Sequence, residues 1–243
     1  SERAPNPGAR LVDPTGRVLP LRQSHLDAEA VGGLCRVVLT QTFTNPYDEP
    51  LCVTYHLPLP ADGAVSGFSF TLGETRVEGE LKRRAAARQA FETAISNGQT
   101  AALLEEDTSA LFTQEVGNVP PHETIVVEIL VDQPLHWSEA GSKHDAGWEW
   151  RFPTVVGPRY FGGEGQPAPS HTLDVSTVDT AAFGKDNTAR SSLSLRVLDT
   201  CTGDAASSSH RIRCTDDEIH FTDARLDRDI VVRWPVEPRV GEV

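Results

Sequence analysis

The chain has 243 residues, with 22 Lys plus Arg against 35 Asp plus Glu and 38% hydrophobic residues. A net charge of −13 and a pI near 5.0 exclude a general phosphate-tracking surface, so no nucleic-acid partner is expected, and the chain is too apolar to be disordered. The longest apolar run, 125–131, is interrupted by Glu128 and is far too short to span a bilayer, so no membrane span is expected either.

In chain order, alternation of apolar and polar residues predicts strands at 35–44, 51–57 and 66–72. Turn signals punctuate them at Asn45-Pro46 and Asp62-Gly63. The pattern then changes period. Over 81–97 the residues are strong helix formers, with Ala87, Ala90, Phe91, Ala94 and Ile95 on one face and Gly98 placed to end the helix. The other face carries Lys82, Arg84, Arg88 and Glu92. Strand alternation resumes at 124–131, 192–199 and 229–236, and 222–229 reads as a solvated connection. Short strands broken this often predict a mainly β fold, an antiparallel sandwich-like body with one amphipathic helix packed on it.

The four cysteines take faces from the same alternation. Cys35 is in phase with Val37 and Leu39, whereas Cys52 is out of phase with Val53 and Tyr55. A hairpin turning at 45–49 would put Cys52 opposite Thr42, far from Cys35. Cys201 and Cys214 are both in phase with apolar neighbours and flank a polar loop, so the possible disulfide is Cys201–Cys214.

Residues arranged for chemistry are few. Asp174-Val175-Ser176 begins a metal-binding DxSxS pattern, but Val178 stands where the second Ser is needed. Cys201, His210, Cys214 and His220 have the spacing of no usual zinc site. No catalytic residue, cofactor site or metal site is expected: covalent and acid–base catalysis need a nucleophile or base oriented by a second group, and no local motif supplies one.

Seven pieces in order carry a resemblance. They are Gln41-Thr42-Phe43-Thr44-Asn45; Leu57-Pro58-Leu59-Pro60 with Ala64-Val65-Ser66-Gly67-Phe68; Glu78-Gly79-Glu80-Leu81-Lys82; and 87–94. The others are 98–104, Phe112-Thr113 and Gly117-Asn118-Val119-Pro120-Pro121. Together they resemble the VIT domain, named for vault protein and the inter-alpha-trypsin inhibitor heavy chains. The segments 152–160, Ser209-His210 and 226–234 look like the β extension of bacterial members, which leads into a von Willebrand factor A domain. The resemblance implies a VIT core over 10–135 and a β-rich extension over 136–243 packed into the same body. It also implies that the chain is a fragment of a larger protein.

The expected function is a non-catalytic protein–protein interaction or scaffolding module whose partner is a protein or an adjacent von Willebrand A domain. Lys82, Arg83, Arg84 and Arg88 are the candidate interaction residues, because four basic side chains within seven residues stand out on so acidic a chain. The alternative is a carbohydrate-binding or hydrolytic domain with Trp137, Trp148, Trp150 and Tyr160 lining a groove. Plain strand alternation, with Trp148 and Trp150 on one face, is the simpler account of those indoles.

Overall fold

A computed structural model describes residues 6–7, 9–60, 62–78, 111–141, 145–156, 190–215, 218–225 and 228–237. The expected helix at 81–97, with Phe91 and the basic group Lys82, Arg83, Arg84 and Arg88, lies outside them. The described residues are mainly β and contain no helix.

The strands are β1 (Asn6–Pro7), β2 (Arg10–Val12), β3 (Val18–Leu19), β4 (Leu21–Val31), β5 (Leu34–Thr44), β6 (Leu51–Pro58), β7 (Ala64–Leu72), β8 (Thr75–Glu78) and β9 (Leu111–Val119). There follow β10 (Thr124–Pro134), β11 (His136–Ser138), β12 (Gly147–Phe152), β13 (Val155–Val156), β14 (Arg190–Val197), β15 (Arg213–Cys214), β16 (Glu218–Arg225) and β17 (Ile230–Pro235). An eight-stranded sheet runs β15-β16-β14-β4-β5-β10-β7-β8, and a four-stranded sheet runs β3-β2-β6-β9. A three-stranded sheet, β11-β12-β17, and a two-stranded one, β1-β13, complete the set.

The two larger sheets face each other across one core. Tyr55 of β6 is fully buried, edge-on to Phe43 of β5 and against Phe68 of β7 and Phe112 of β9. Its hydroxyl donates to Gln41 Oε1 at 2.7 Å, so the polar tip of a buried ring is satisfied across the sheets. On the large sheet the inward set alternates as expected: Cys35, Val37 and Leu39 on β5, and Ile125, Val127, Ile129 and Val131 on β10.

Four expectations need correction. First, β5 and β6 do not form a hairpin: β5 pairs with β4 and β10, whereas β6 pairs with β2 and β9 in the other sheet. Asn45 is the reason. Fully buried, its Nδ2 donates to the carbonyls of Glu49, Val119 and Pro120, each at 3.0 Å, while its Oδ1 accepts from Tyr47 N–H. That set of bonds turns the chain out of one sheet and into the other. Second, β14 pairs with β4 in parallel, so the large sheet is not wholly antiparallel. Third, β16 extends to Arg225, into the stretch read as a connection, because its backbone stays in register with β14 up to the Arg190–Arg225 pair. Fourth, Cys201 and Cys214 are exposed rather than inward, since 198–212 is irregular and strand phase does not carry through it.

Candidate interaction surface

The β4–β5 hairpin turns on Gly32 and Gly33, whose φ values of +59° and +86° suit a two-residue turn of the mirror-image kind that matches strand twist. Gly33 has a second constraint. A Cβ there would stand 2.9 Å from Cη2 of Trp148, so the indole lies directly on the backbone. The three-stranded sheet is thereby fastened to the hairpin, and Leu135 N–H donates to Gly33 O at 2.7 Å alongside it.

On the outer face of the large sheet, the tip gathers residues far apart in sequence. Val31 lies opposite Leu34, and Leu34 opposite Pro134. Leu198 follows the Val197–Ala30 pair, its N–H donating to Ala30 O at 2.9 Å. The next residue, Asp199, accepts from Gly32 N–H through both carboxylate oxygens, holding this segment on the turn. Leu198, Val31, Leu34 and Pro134 therefore form one apolar row across β14, β4, β5 and β10. Their exposure is real: Leu34 is 63% exposed, Leu198 52% and Val31 48%, three of the four large hydrophobics that stand in solvent among the described residues.

Behind this row the same four strands carry Arg196, Glu29, Arg36 and Asp132. The signs alternate. Arg196 pairs with Glu29 at 3.6 Å and Arg36 with Asp132 at 2.7 Å, and that bond with the positive charge of Arg36 holds the Asp132 carboxyl below its ordinary value. The ladder cancels its own charge, so the rim is an apolar edge backed by a neutral strip. Such a surface suits another protein and has no field to attract a polyanion.

Other candidates resolve differently. Trp137 and Trp148, both half-buried, meet edge to face with centroids 4.9 Å apart at 77°, and Trp148 lies against Gly33. Trp150 is fully buried beside Phe152 and is unavailable to a sugar, which removes it from the aromatic groove; Tyr160 lies outside the described residues. Trp148 and Trp150 share a face, as alternation requires. Cys201 and Cys214 are free thiols, both shifted upward, Cys201 by burial and then by the charges of Asp199 and Cys214. No group of three metal-ligating side chains occurs among the described residues. The His210 ring is stacked on Phe221, centroids 5.0 Å apart.

One pair was invisible to sequence reading. His25 Nδ1 and Ser192 Oγ are 2.8 Å apart across the parallel β4–β14 pair. A nucleophile needs a base that is itself oriented and donors free to hold an oxyanion, whereas the neighbouring backbone groups here belong to sheet ladders.

Residues 21–131 match the family model of the vault protein inter-alpha-trypsin (VIT) domain. The mouse protein mono-ADP-ribosyltransferase PARP4 is 33% identical over 121 residues, 50% of this chain and 6% of that protein. Mouse von Willebrand factor A domain-containing protein 5A is 27% identical over 152 residues, 62% of this chain and 18% of that protein. The chain thus spans a small fraction of these relatives. A crystal structure of a Legionella pneumophila protein with a proposed nutrient-binding role superposes with a TM-score of 0.51 at 10% identity, covering 96% of this chain and 73% of that one. That is a likeness of fold alone.

Proposed function

Because residues 21–131 are a VIT domain, we propose that the chain is a non-catalytic protein-interaction module that docks a von Willebrand A domain on the rim of Val31, Leu34, Pro134 and Leu198. The observation carrying this reading is the exposed apolar row over a self-neutralised charge ladder, on a chain of net charge −13. Relatives named for a von Willebrand A domain support the choice of occupant. Val236, just past the end of β17, bridges to Cys201, three residues from Leu198. In this reading 10–135 is the VIT core and 136–243 an extension that completes its surface. Lys82, Arg83, Arg84 and Arg88 serve to steer an acidic partner in a salt-dependent way.

The test is a photo-crosslinking residue at Leu34 of the full-length protein in its own cells, with Val77 as the control because it is also an exposed apolar residue. Adducts with von Willebrand A peptides at Leu34, and few at Val77, are expected. Equal yields at the two positions, or none at Leu34, defeat the proposal.

A further inference from the structure

We propose that Arg10 and His56, side by side on the outer face of the four-stranded sheet, bind a small oxyanion. Ala9 and Leu11 belong to the core between the sheets, so the intervening Arg10 projects to the opposite face. The ladder sets it directly opposite His56 on β6, and His56 opposite Thr113 on β9, forming one row over three strands. Side chains so placed start about 5 Å apart at Cβ.

Arg10 is only 8% exposed, and its Nε and Nη1 are buried with no hydrogen-bond partner among the described residues. A guanidinium cannot escape burial by losing its proton, so an unpaired one is expensive to keep. The nearby acids do not answer it. Asp13, on the same stretch of chain, is spent on Thr15 and on the backbone and side chain of Arg17. Glu115 lies one row away, opposite Thr54. Burial is what lowers Arg10 from its ordinary value, and no carboxylate among the described residues raises it.

His56 is in the same condition. Its Nε2 is buried without a partner among the described residues, and its Nδ1 lies 3.4 Å from Thr113 Oγ1. With the Thr113 hydroxyl donating to Nδ1, Nε2 carries the proton and is a third donor. Two guanidinium N–H groups and one imidazole N–H match the lone pairs of a phosphate or carboxylate group, and the anion would neutralise the buried charge. All three unsatisfied nitrogens of the row, Arg10 Nε and Nη1 and His56 Nε2, would then be used.

The experiment uses the full chain with 15N labelling. Sodium phosphate and sodium acetate are titrated separately at constant ionic strength, with chloride as the control, while the Arg10 Nε–H and His56 ring resonances and the melting temperature are followed. Saturable shifts confined to these two residues are expected with phosphate or acetate. A response to phosphate alone marks a phosphate-type ligand, and a response to acetate marks a carboxylate. At saturation the melting temperature should rise by about 2–4 °C. Arg10→Met should abolish the shifts and leave the anion-free protein at least as stable as the parent. His56→Gln should weaken binding roughly tenfold. No saturable shift with either anion overturns the site, as does an undiminished response in Arg10→Met.

Discussion

At the scale of single residues, the informative groups are those whose surroundings oppose their charge. Burial first, and then the positive charge of Arg10, push the His56 imidazole down to about 4. An unfolded histidine titrates near 6.5. The protonated form is therefore disfavoured in the folded chain, and the contribution of this group is complete above about pH 6.5. It is lost as pH falls towards 4, because the unfolded chain takes up the proton first. His56→Gln should flatten the decline of urea-measured stability between pH 6.5 and 4, and an unchanged slope would assign that decline elsewhere. Asp13 acts lower on the pH scale: burial would raise its carboxyl, but bonds from Thr15 and Arg17 outweigh that and lower it. The cysteines divide by exposure. Cys35 is buried and pushed up to about 12, mainly by desolvation, so it is inert. Cys201 and Cys214 are exposed, and Cys214 is close enough to help raise the Cys201 thiol, after burial and Asp199. After mild oxidation, a non-reducing digest should contain a Cys201–Cys214 peptide and none linking Cys35 to Cys52; the reverse would contradict the placement of Cys35 in the core.

At the scale of elements, the turn at Asn45 illustrates how one side chain chooses between sheets. Asn45→Ala leaves three carbonyls without their shared donor in a buried corner and should cost about 2–3 kcal/mol in urea denaturation. A change below about 0.5 kcal/mol would show that water replaces the amide there. Strong alternation made β5, β6, β7, β10, β14 and β17 legible in the sequence to within a few residues. β4 was not legible, for a physical reason. Of its inward residues Ser24, Leu26, Ala28 and Ala30, only Leu26 is large and apolar, so its period-2 signal is faint although the strand lies centrally between β5 and β14. Asn45-Pro46 read correctly as a turn, but its side-chain bonds to Val119 and Pro120, which decide the direction of exit, are long-range. The helix at 81–97 is a proposal from periodicity. If its Ala87, Phe91 and Ile95 face is buried, Phe91→Ala should cost about 3–5 kcal/mol, and an effect near zero would put that face in solvent.

At the scale of the whole molecule, the VIT motif pieces were legible but the exposed apolar rim was not, because its members come from 31, 34, 134 and 198. Only the parallel pairing of β14 with β4 brings Leu198 beside Val31, and parallel pairing leaves no short-range turn signal. The same pairing has a thermodynamic consequence. Removing everything after 135 would strip β14 from β4 and turn an eleven-residue central strand into an open edge. It would also remove Trp150, Phe152, Ile230, Val232 and Trp234, all buried in the core they share with β4 and β5. Loss of that much apolar cover far exceeds what a domain of ordinary stability can absorb. A 10–135 fragment should therefore aggregate or lack a cooperative melting transition, while the 243-residue chain melts cooperatively. Co-expressing 136–243 as a separate chain should restore solubility if the two parts are one folding unit. A monomeric 10–135 fragment with a sharp transition would instead make the extension an independent body, and Leu198 would leave the proposed rim with it.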